Sequence, residues 1–576
     1  MKEKKEENKL LREFGGEETK DFLNEAERFD VEFPIPPQEG VTVPKYIKYL
    51  AVAAIVAVIL LFSQTAHTIV EEILVVGSKI STGYSDPAHD NSTIEAIEST
   101  ELYTPGGPGG FAAVGLNGTD SKHTTVYRNG VPVNDPSSGW YDFGIDLPMW
   151  QTYQKISGPN SVLFGSSSMA GTILIEDTFD KHVFYKGGDA LQFITGGNDW
   201  FQIARYKGSI GSVKTTNDEE DWYENTTLKT KSNIAGFDVV LVSQDYSYDY
   251  DDCLVSTVEY NDCNQSGYKT DLSIRNDWLT VGYNLNSSKH NTGWGAKSSR
   301  VFADARYQYK SPAGNFLAGV TTQQEDYDYY FRSPVPTKYR AGRSGVYFNW
   351  STEQKAPIRS SVIPYKFGIG YRYEDNVQTA RAGVEVKDFR ISLGNSFRNP
   401  NLYERYGDDW VSPNPDLNAE KGLGLEVGWK DLTFWHYDFS DGIDFDFDSY
   451  QYINTGEYQS SGIKFSKAYQ NFNMFFQYTD TDKIQAAKYK TRLTYSNMFG
   501  KLDYGVSYVG EFDKGLDYAG RTIDNVSTLD LTLGYLLGVR YRVGLQIRDI
   551  FNRKFEILPE YTAGGREFLI SFDLSL

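Results

Sequence analysis

The chain has 576 residues and a formal net charge of −20, with 42 Tyr, 34 Phe and 10 Trp. A mean hydropathy of −0.48 excludes a bundle of apolar membrane helices, and the negative charge argues against nucleic acid as a partner. A chain this long either splits into several domains or closes one large sheet, and abundant Tyr and Phe in alternating polarity favour strands.

Residues 1–44 are charged and poor in aromatics, the composition of a disordered or weakly helical lead. Lys45 and Lys48 precede an apolar run of 13 residues, Leu50–Phe62. About 18–20 residues are needed to span a bilayer, so the run is short for that purpose. It suits the core of a secretory signal peptide cut after Ala66, and residues 1–66 are read as lead plus signal. The long acidic lead keeps a second reading open, an uncleaved inner-membrane anchor with a cytoplasmic tail. Ile69–Ile80 follows, IVEEILVVGSKI, an acidic pair and an apolar run within residues 67–80. It is either a segment that adds to a partner's sheet edge or the first strand of the next domain.

Between Tyr103 and Asp177, Gly, Pro, Ser and Asn recur every few residues with short β-branched runs between them. That is the chemistry of tight turns joining short strands. Residues 81–180 are therefore expected to fold as a small α+β domain. A phosphate loop is excluded, because GGPGG lacks the Lys-Ser/Thr such a loop needs.

From about residue 182 the pattern changes. Segments of about ten residues alternate apolar and polar, among them 237–248, 389–398, 502–510, 529–538 and 541–551. In the final segment of the chain, 568–576, Phe568, Ile570, Phe572, Leu574 and Leu576 face one way, and Leu569, Ser571, Asp573 and Ser575 the other. One lipid face and one wet face is the signature of a transmembrane β-barrel. About 22 segments fit between residues 189 and 576, an even number as closure requires. Some connections are very short: Asn276-Asp277, Lys387-Asp388, Lys430-Asp431, Gln470-Asn471 and Leu537-Gly538. They alternate with long polar ones at 249–267, 286–299, 327–341, 399–420, 441–451, 511–526 and 552–566. The expected fold is an antiparallel barrel over residues 181–576, wide enough to need the small domain as a plug in its lumen. Cys253 and Cys263 are the only cysteines, and beside an export signal they read as a local disulfide.

Four places give the chain a family resemblance over residues 69–576: EEILVVGSKI (71–80), HTTVYRNGVPVNDPSSGWYDFG (123–144), ISGPNSVLFGSSSMAGTILI (156–175) and SFRNPNLYERYG…NPDLNAEKGLGLEVG (396–428). They resemble, in order, the TonB box, the two plug motifs and the barrel box of TonB-dependent outer-membrane receptors of the siderophore and cobalamin type. The resemblance implies a bacterial outer-membrane monomer that takes up a scarce metal chelate. Glu71, Glu72, Ile73, Leu74, Val75 and Val76 would pair with TonB, which transmits the inner-membrane proton gradient and moves the plug. Family plugs usually carry arginines that latch onto barrel glutamates. Here Asn117 and Ser157 stand in their places, while the glutamates match Glu420 and Glu426, and Arg128 is a conceivable replacement.

The ligand is read less directly. Asp245, Asp249, Asp251, Asp252 and Asp262 cluster around the two cysteines, a set of hard oxygen donors suited to a structural Ca²⁺ or to a plain solvated surface. No resident cofactor is required otherwise. Tyr327, Tyr330 and Trp410 suit stacking on a ligand face or simple loop packing. Haem is disfavoured, because no His lies between the halves of the 396–428 box. Other TonB-dependent cargo such as an oligosaccharide, and a signal-transducing receptor on an uncleaved anchor, stay as alternatives. No nucleophile–base pairing points to an enzyme.

Overall fold

The computed structural model describes residues 100–103, 112–145, 151–188, 191–209, 213–214, 222–250, 253–255, 258–260, 263–291, 293–331, 337–358, 361–482, 486–515, 522–558 and 561–575. The chain divides into Met1–Thr68 and Ile69–Leu576, and every described residue belongs to the second unit. The lead, the signal segment and residues 69–80 lie outside the described residues.

Twenty-two antiparallel strands close a barrel, each pairing with its neighbours in sequence order. The last, Glu567–Ser575, seals the ring against the first, His182–Gly188, in register from Leu569↔Gly188 to Ser575↔His182. The wall begins at His182, so one of its 22 strands lies before residue 189, where the segment count started. Side chains alternate across it as the period-2 pattern requires. Phe568, Ile570 and Phe572 are exposed on the outside while Leu569 is 1% exposed inside. Leu393, Leu423, Phe434 and Ile463 continue the outer apolar band, and Thr195, Asn225, Gln244 and Ser460 are buried on the lumen side.

The two rims differ. On one, Lys387, Lys430 and Gln470 each open a two-residue turn with φ of 54°, 51° and 52°. Left-handed backbone there matches the twist of the flanking strands. Exposed aromatics flank these turns, with Phe389, Trp429, Tyr469, Phe472, Phe499 and Tyr541 forming a belt. Amphipathic rings belong at a membrane–water boundary.

On the other rim several expected long loops are wall instead. Gly314–Phe331 has 18 residues and Thr337–Ile358 has 22, against roughly 9–11 for a bilayer crossing. The span 286–299 reduces to a turn between Leu279–His290 and Trp294–Ser311. Outward positions above Val320 and Val346 turn polar, at Thr322, Gln324, Ser344 and Arg340. The strands outrun the membrane, and with the lipid gone the apolar half of the alternation goes too. Residues 399–419, by contrast, are a true loop carrying one short helix, Leu402–Tyr406.

Inside the barrel sits a four-stranded sheet in the order Val131–Pro132, Thr124–Arg128, Gly171–Asp177, Gln151–Ser157. Its central pair is parallel, in register Thr124↔Gly171 to Arg128↔Ile175. All five residues of Thr124–Arg128 are buried, as a parallel pair covered on both faces demands. Among the described residues the plug shares its apolar core with the wall. Val126, Ile173 and Ile175 join one apolar cluster with Trp435, Tyr437 and Phe439 of the wall. Removing the plug would expose all of them, so burial alone favours the seated state.

Candidate functional site: the clamp between plug and barrel

A chain of alternating charges joins plug to wall. Asp120 caps the single turn Ser121–His123 by accepting from the Lys122 amide, which sets Lys122 and His123 side by side. Lys122 Nζ lies 3.0 Å from Glu404 Oε1. Arg398 Nη1 donates to Glu404 Oε2 at 2.8 Å, and Arg398 Nε to Glu420 Oε2 at 2.6 Å. The same Glu420 oxygen lies 2.7 Å from His123 Nε2. The path leaves the plug at Lys122, crosses three barrel residues and returns at His123. Two cations, Lys122 and Arg398, face two carboxylates, Glu404 and Glu420, along the buried chain.

Neighbouring groups fix its members. Asn401 and Glu404 form a capping box on the helix Leu402–Tyr406, which locks the Glu404 side chain. The free amides of that helix, Leu402 and Tyr403, donate to Pro136 and Ser137 carbonyls of the plug at 3.1 and 3.0 Å. The Ile443 amide donates to Glu420 Oε1 at 2.7 Å. The His123 ring stacks on Phe439 with centroids 5.1 Å apart, and Tyr458 Oη lies 2.6 Å from its Nδ1. Burial alone would discharge Lys122, but the Glu404 carboxylate outweighs it and holds the ammonium above its usual range. Burial likewise works against the Glu404 charge, and Arg398 with Lys122 reverses the balance, so its carboxyl is held below the usual range.

A second tie lies at Asp177. Arg128 grips this carboxylate with Nε and Nη2, both at 2.8 Å, and Lys229 of the wall reaches it at 2.6 Å. Burial pushes the Asp177 carboxyl up, but the two cations overcome it and leave it far below the usual range. Arg128 is thus no substitute latch for Glu420 or Glu426. It is spent inside the plug, and Lys229 makes the link to the barrel.

The third tie uses the substituted positions. Asn117, with φ 54°, donates from Nδ2 to Tyr437 Oη at 2.9 Å, and its carbonyl accepts from Ser460 Oγ at 2.6 Å. Tyr437 Oη in turn donates to Glu426 Oε1 at 2.7 Å. Asn117 therefore reaches Glu426 through a phenol. Ser157 is 2% exposed, and the next residue, Gly158 (φ +78°), lies under Glu426 so closely that a Cβ there would stand 3.0 Å from the carboxyl carbon. Close approach of backbone to carboxylate replaces the ion pair at that position.

The other expected site residues are dispersed. Tyr327 is 2% exposed and packs with Tyr329, Tyr339, Leu402, Tyr403 and Tyr406, while Trp410 is 65% exposed on the 399–419 loop. Asp245 and Asp249 sit four residues apart in the strand Phe237–Tyr250, about 13 Å along it by strand rise, too far for both to hold one ion. Cys253 and Cys263 lie in the strands Cys253–Val255 and Cys263–Arg275. Their side chains, that of Tyr330, and Asp251, Asp252, Asp262 and Glu71–Val76 lie outside the described residues. Among the described residues no group of three His, Cys, Asp or Glu is placed to hold a metal.

Lys122, His123, Arg398, Glu404, Asp177, Lys229 and Tyr437 were not anticipated as site residues. His123, Arg398 and Glu404 stand inside the motifs quoted above, but nothing in the sequence pairs them.

A family model described as "TonB dependent receptor-like, beta-barrel" matches residues 80–550. The chain belongs to that family. It is a TonB-dependent receptor of the bacterial outer membrane. The receptor's fold is shared with solved structures at low identity. The siderophore receptor PirA from Acinetobacter baumannii matches with a TM-score of 0.62 and 12% identity, over 88% of this chain and 100% of that one. The FrpB iron transporter from Neisseria meningitidis matches with a TM-score of 0.63 and 9% identity, over 87% and 98%. The copper transporter OprC matches with a TM-score of 0.56 and 12% identity, over 85% and 97%.

Proposed function

We propose that this receptor is an energised importer of a scarce metal chelate, a ferric siderophore or cobalamin. The observation that carries the reading is the clamp. A plug held across the lumen by two buried charge networks makes a poor passive pore and needs work to open. In this account Glu71–Val76 adds as a strand to TonB, and force along the chain moves the plug. A backbone-paired strand suits that task because several hydrogen bonds resist the pull together. The chelate enters from the rim of long strands and loops, where Trp410 and Tyr450 offer exposed rings. The solved structures of like fold are named for siderophore, iron and copper cargo, which supports a metal chelate as the class.

Calcium held by Asp249, Asp251, Asp252 and Asp262 is a further part of this proposal. Protease protection of residues 249–263 that depends on Ca²⁺ supports it, and indifference to chelator removes it.

The test is growth with and without the gene, under iron limitation and with cobalamin as the required cofactor. A defect in one condition supports the reading and names the cargo. No defect in either overturns it.

A further inference from the structure

Between the plug and the wall strands Trp294–Ser311 to Ser361–Glu374 runs a cleft. Its plug side is formed by Tyr127, Asn134 and the segment Phe164–Ser167, and its wall side by Arg300, Arg343, Arg372 and Glu374. The three arginines differ in what they hold. Arg300 uses all three of its nitrogens: Nε and Nη2 bind Glu325 Oε1 at 3.0 and 2.7 Å, and Nη1 binds the carbonyls of Pro132 and Asn134 at 3.1 and 2.7 Å. Arg343 pairs with Glu325 Oε2 at 3.2 Å and with the Pro400 carbonyl at 3.3 Å. Arg372 binds Glu374 Oε2 through Nε at 2.6 Å and Nη2 at 2.5 Å, with Thr321 Oγ1 also on Nη2. Its Nη1 has no hydrogen-bond partner among the described residues, although the side chain is only 3% exposed.

Three guanidinium groups thus meet Glu325 and Glu374 directly, and the Nη1 edge of Arg372 is the one left open among these contacts. A buried guanidinium N–H left open costs free energy until an acceptor meets it. The planar fork suits carboxylate and catecholate oxygens in particular. The plug touches this point directly. Gly165 (φ +73°) lies so near that a Cβ there would stand 2.8 Å from Glu374 Oε2 and 3.1 Å from Arg372 Nη2.

We propose that Arg372 Nη1, with Arg343 across the cleft, forms an anion subsite for an acidic group of the transported chelate on its way between plug and wall. This rests on the uptake reading for its cargo, though not for its chemistry. It favours an anionic chelate, with carboxylate or catecholate donors, over a neutral one.

Two experiments on the intact receptor test it separately from that reading. Crystals of the full-length protein soaked in selenate are expected to show anomalous density within hydrogen-bond reach of Arg372 Nη1, lost in Arg372→Gln. No density in the cleft of the wild type, or density unchanged in the variant, overturns the subsite. If Arg372→Gln fails to assemble, Arg372→Lys keeps the Glu374 pair without the fork and is expected to weaken the density. In cells, iron-55 uptake as an anionic tricatecholate is expected to fall about tenfold in Arg372→Gln, the loss of one charge-assisted bond. Uptake as a neutral trihydroxamate, where it occurs, should hold. Equal loss of both overturns the anion preference. If wild-type cells take up neither chelate, the ferric-siderophore half of the uptake reading fails while the selenate soak still judges the subsite.

Discussion

His123 Nε2 and Glu420 Oε2 lie 2.7 Å apart across the boundary between plug and barrel, although they are 297 positions apart in the chain. Neither side chain is more than 3% exposed. Lys122, the residue before His123, holds the other end of the same charge chain through Glu404. A two-point grip of this kind resists rotation of the plug as well as withdrawal.

Glu404→Gln should loosen that grip. It takes from Lys122 the carboxylate it pairs with and leaves Arg398 with Glu420 alone, and removing one partner of a buried pair costs about 3–5 kcal/mol. Amides of the strand Thr124–Arg128 should then exchange with solvent faster, by on the order of 100- to 1,000-fold, while wall strands keep their protection. Unchanged exchange in the plug strand would show that the clamp does not hold it.

Acid should release the plug only late. The Asp177 and Glu404 carboxyls are held below their usual range in the folded state. A depressed carboxyl contributes stability that is complete above its unfolded pKa, about 4, and lost as pH falls through the lower folded value. The Lys122 ammonium is raised, so its share is complete below the ordinary lysine pKa and lost only in strong alkali. Protease protection of the plug should therefore stay flat from about pH 5 to 9 and fall below about pH 4. A transition near pH 6 would contradict these assignments.

Much of the wall was legible because lipid imposes a local rule. Every second residue must be apolar, as Phe568, Ile570 and Phe572 show. The rule lapses where strands rise above the membrane. At Gln324, Asp326 and Arg340 the outer face meets water, and a stretch read as loop is paired strand. The clamp was illegible for a different reason. Glu404 and Lys122 are 282 residues apart in the chain, and only closure of the barrel brings them together. Arg128 looked available as a latch because Asp177, 49 residues on, gives no sign in the sequence that it will claim two of the three guanidinium nitrogens.

The outer face makes its own prediction. Leu533 lies on the lipid side between Tyr504 and Leu545 of the adjoining strands. Leu533→Arg should destabilise the folded barrel by about 2–4 kcal/mol near mid-membrane, and Leu533→Ala by less. Urea unfolding of the receptor in lipid vesicles measures both. Equal midpoints for the arginine variant and the wild type would mean that this face does not meet hydrocarbon.

Leu74→Pro should separate binding from transport. Proline removes a ladder donor and fixes φ, so the Glu71–Val76 strand can no longer add cleanly to a partner's edge. Surface binding of the cargo should persist while uptake into cells is lost. Full uptake by this variant would place the TonB contact elsewhere.

The most direct test of the whole account is accumulation of label by intact cells carrying or lacking the receptor, offered an iron-55 chelate or cobalt-57 cobalamin, with and without a protonophore. One label is expected to accumulate only in cells that carry the receptor, and to stop when the proton gradient is collapsed. Accumulation that ignores the receptor, or that continues through a carried receptor after the gradient is gone, would contradict an energised plug.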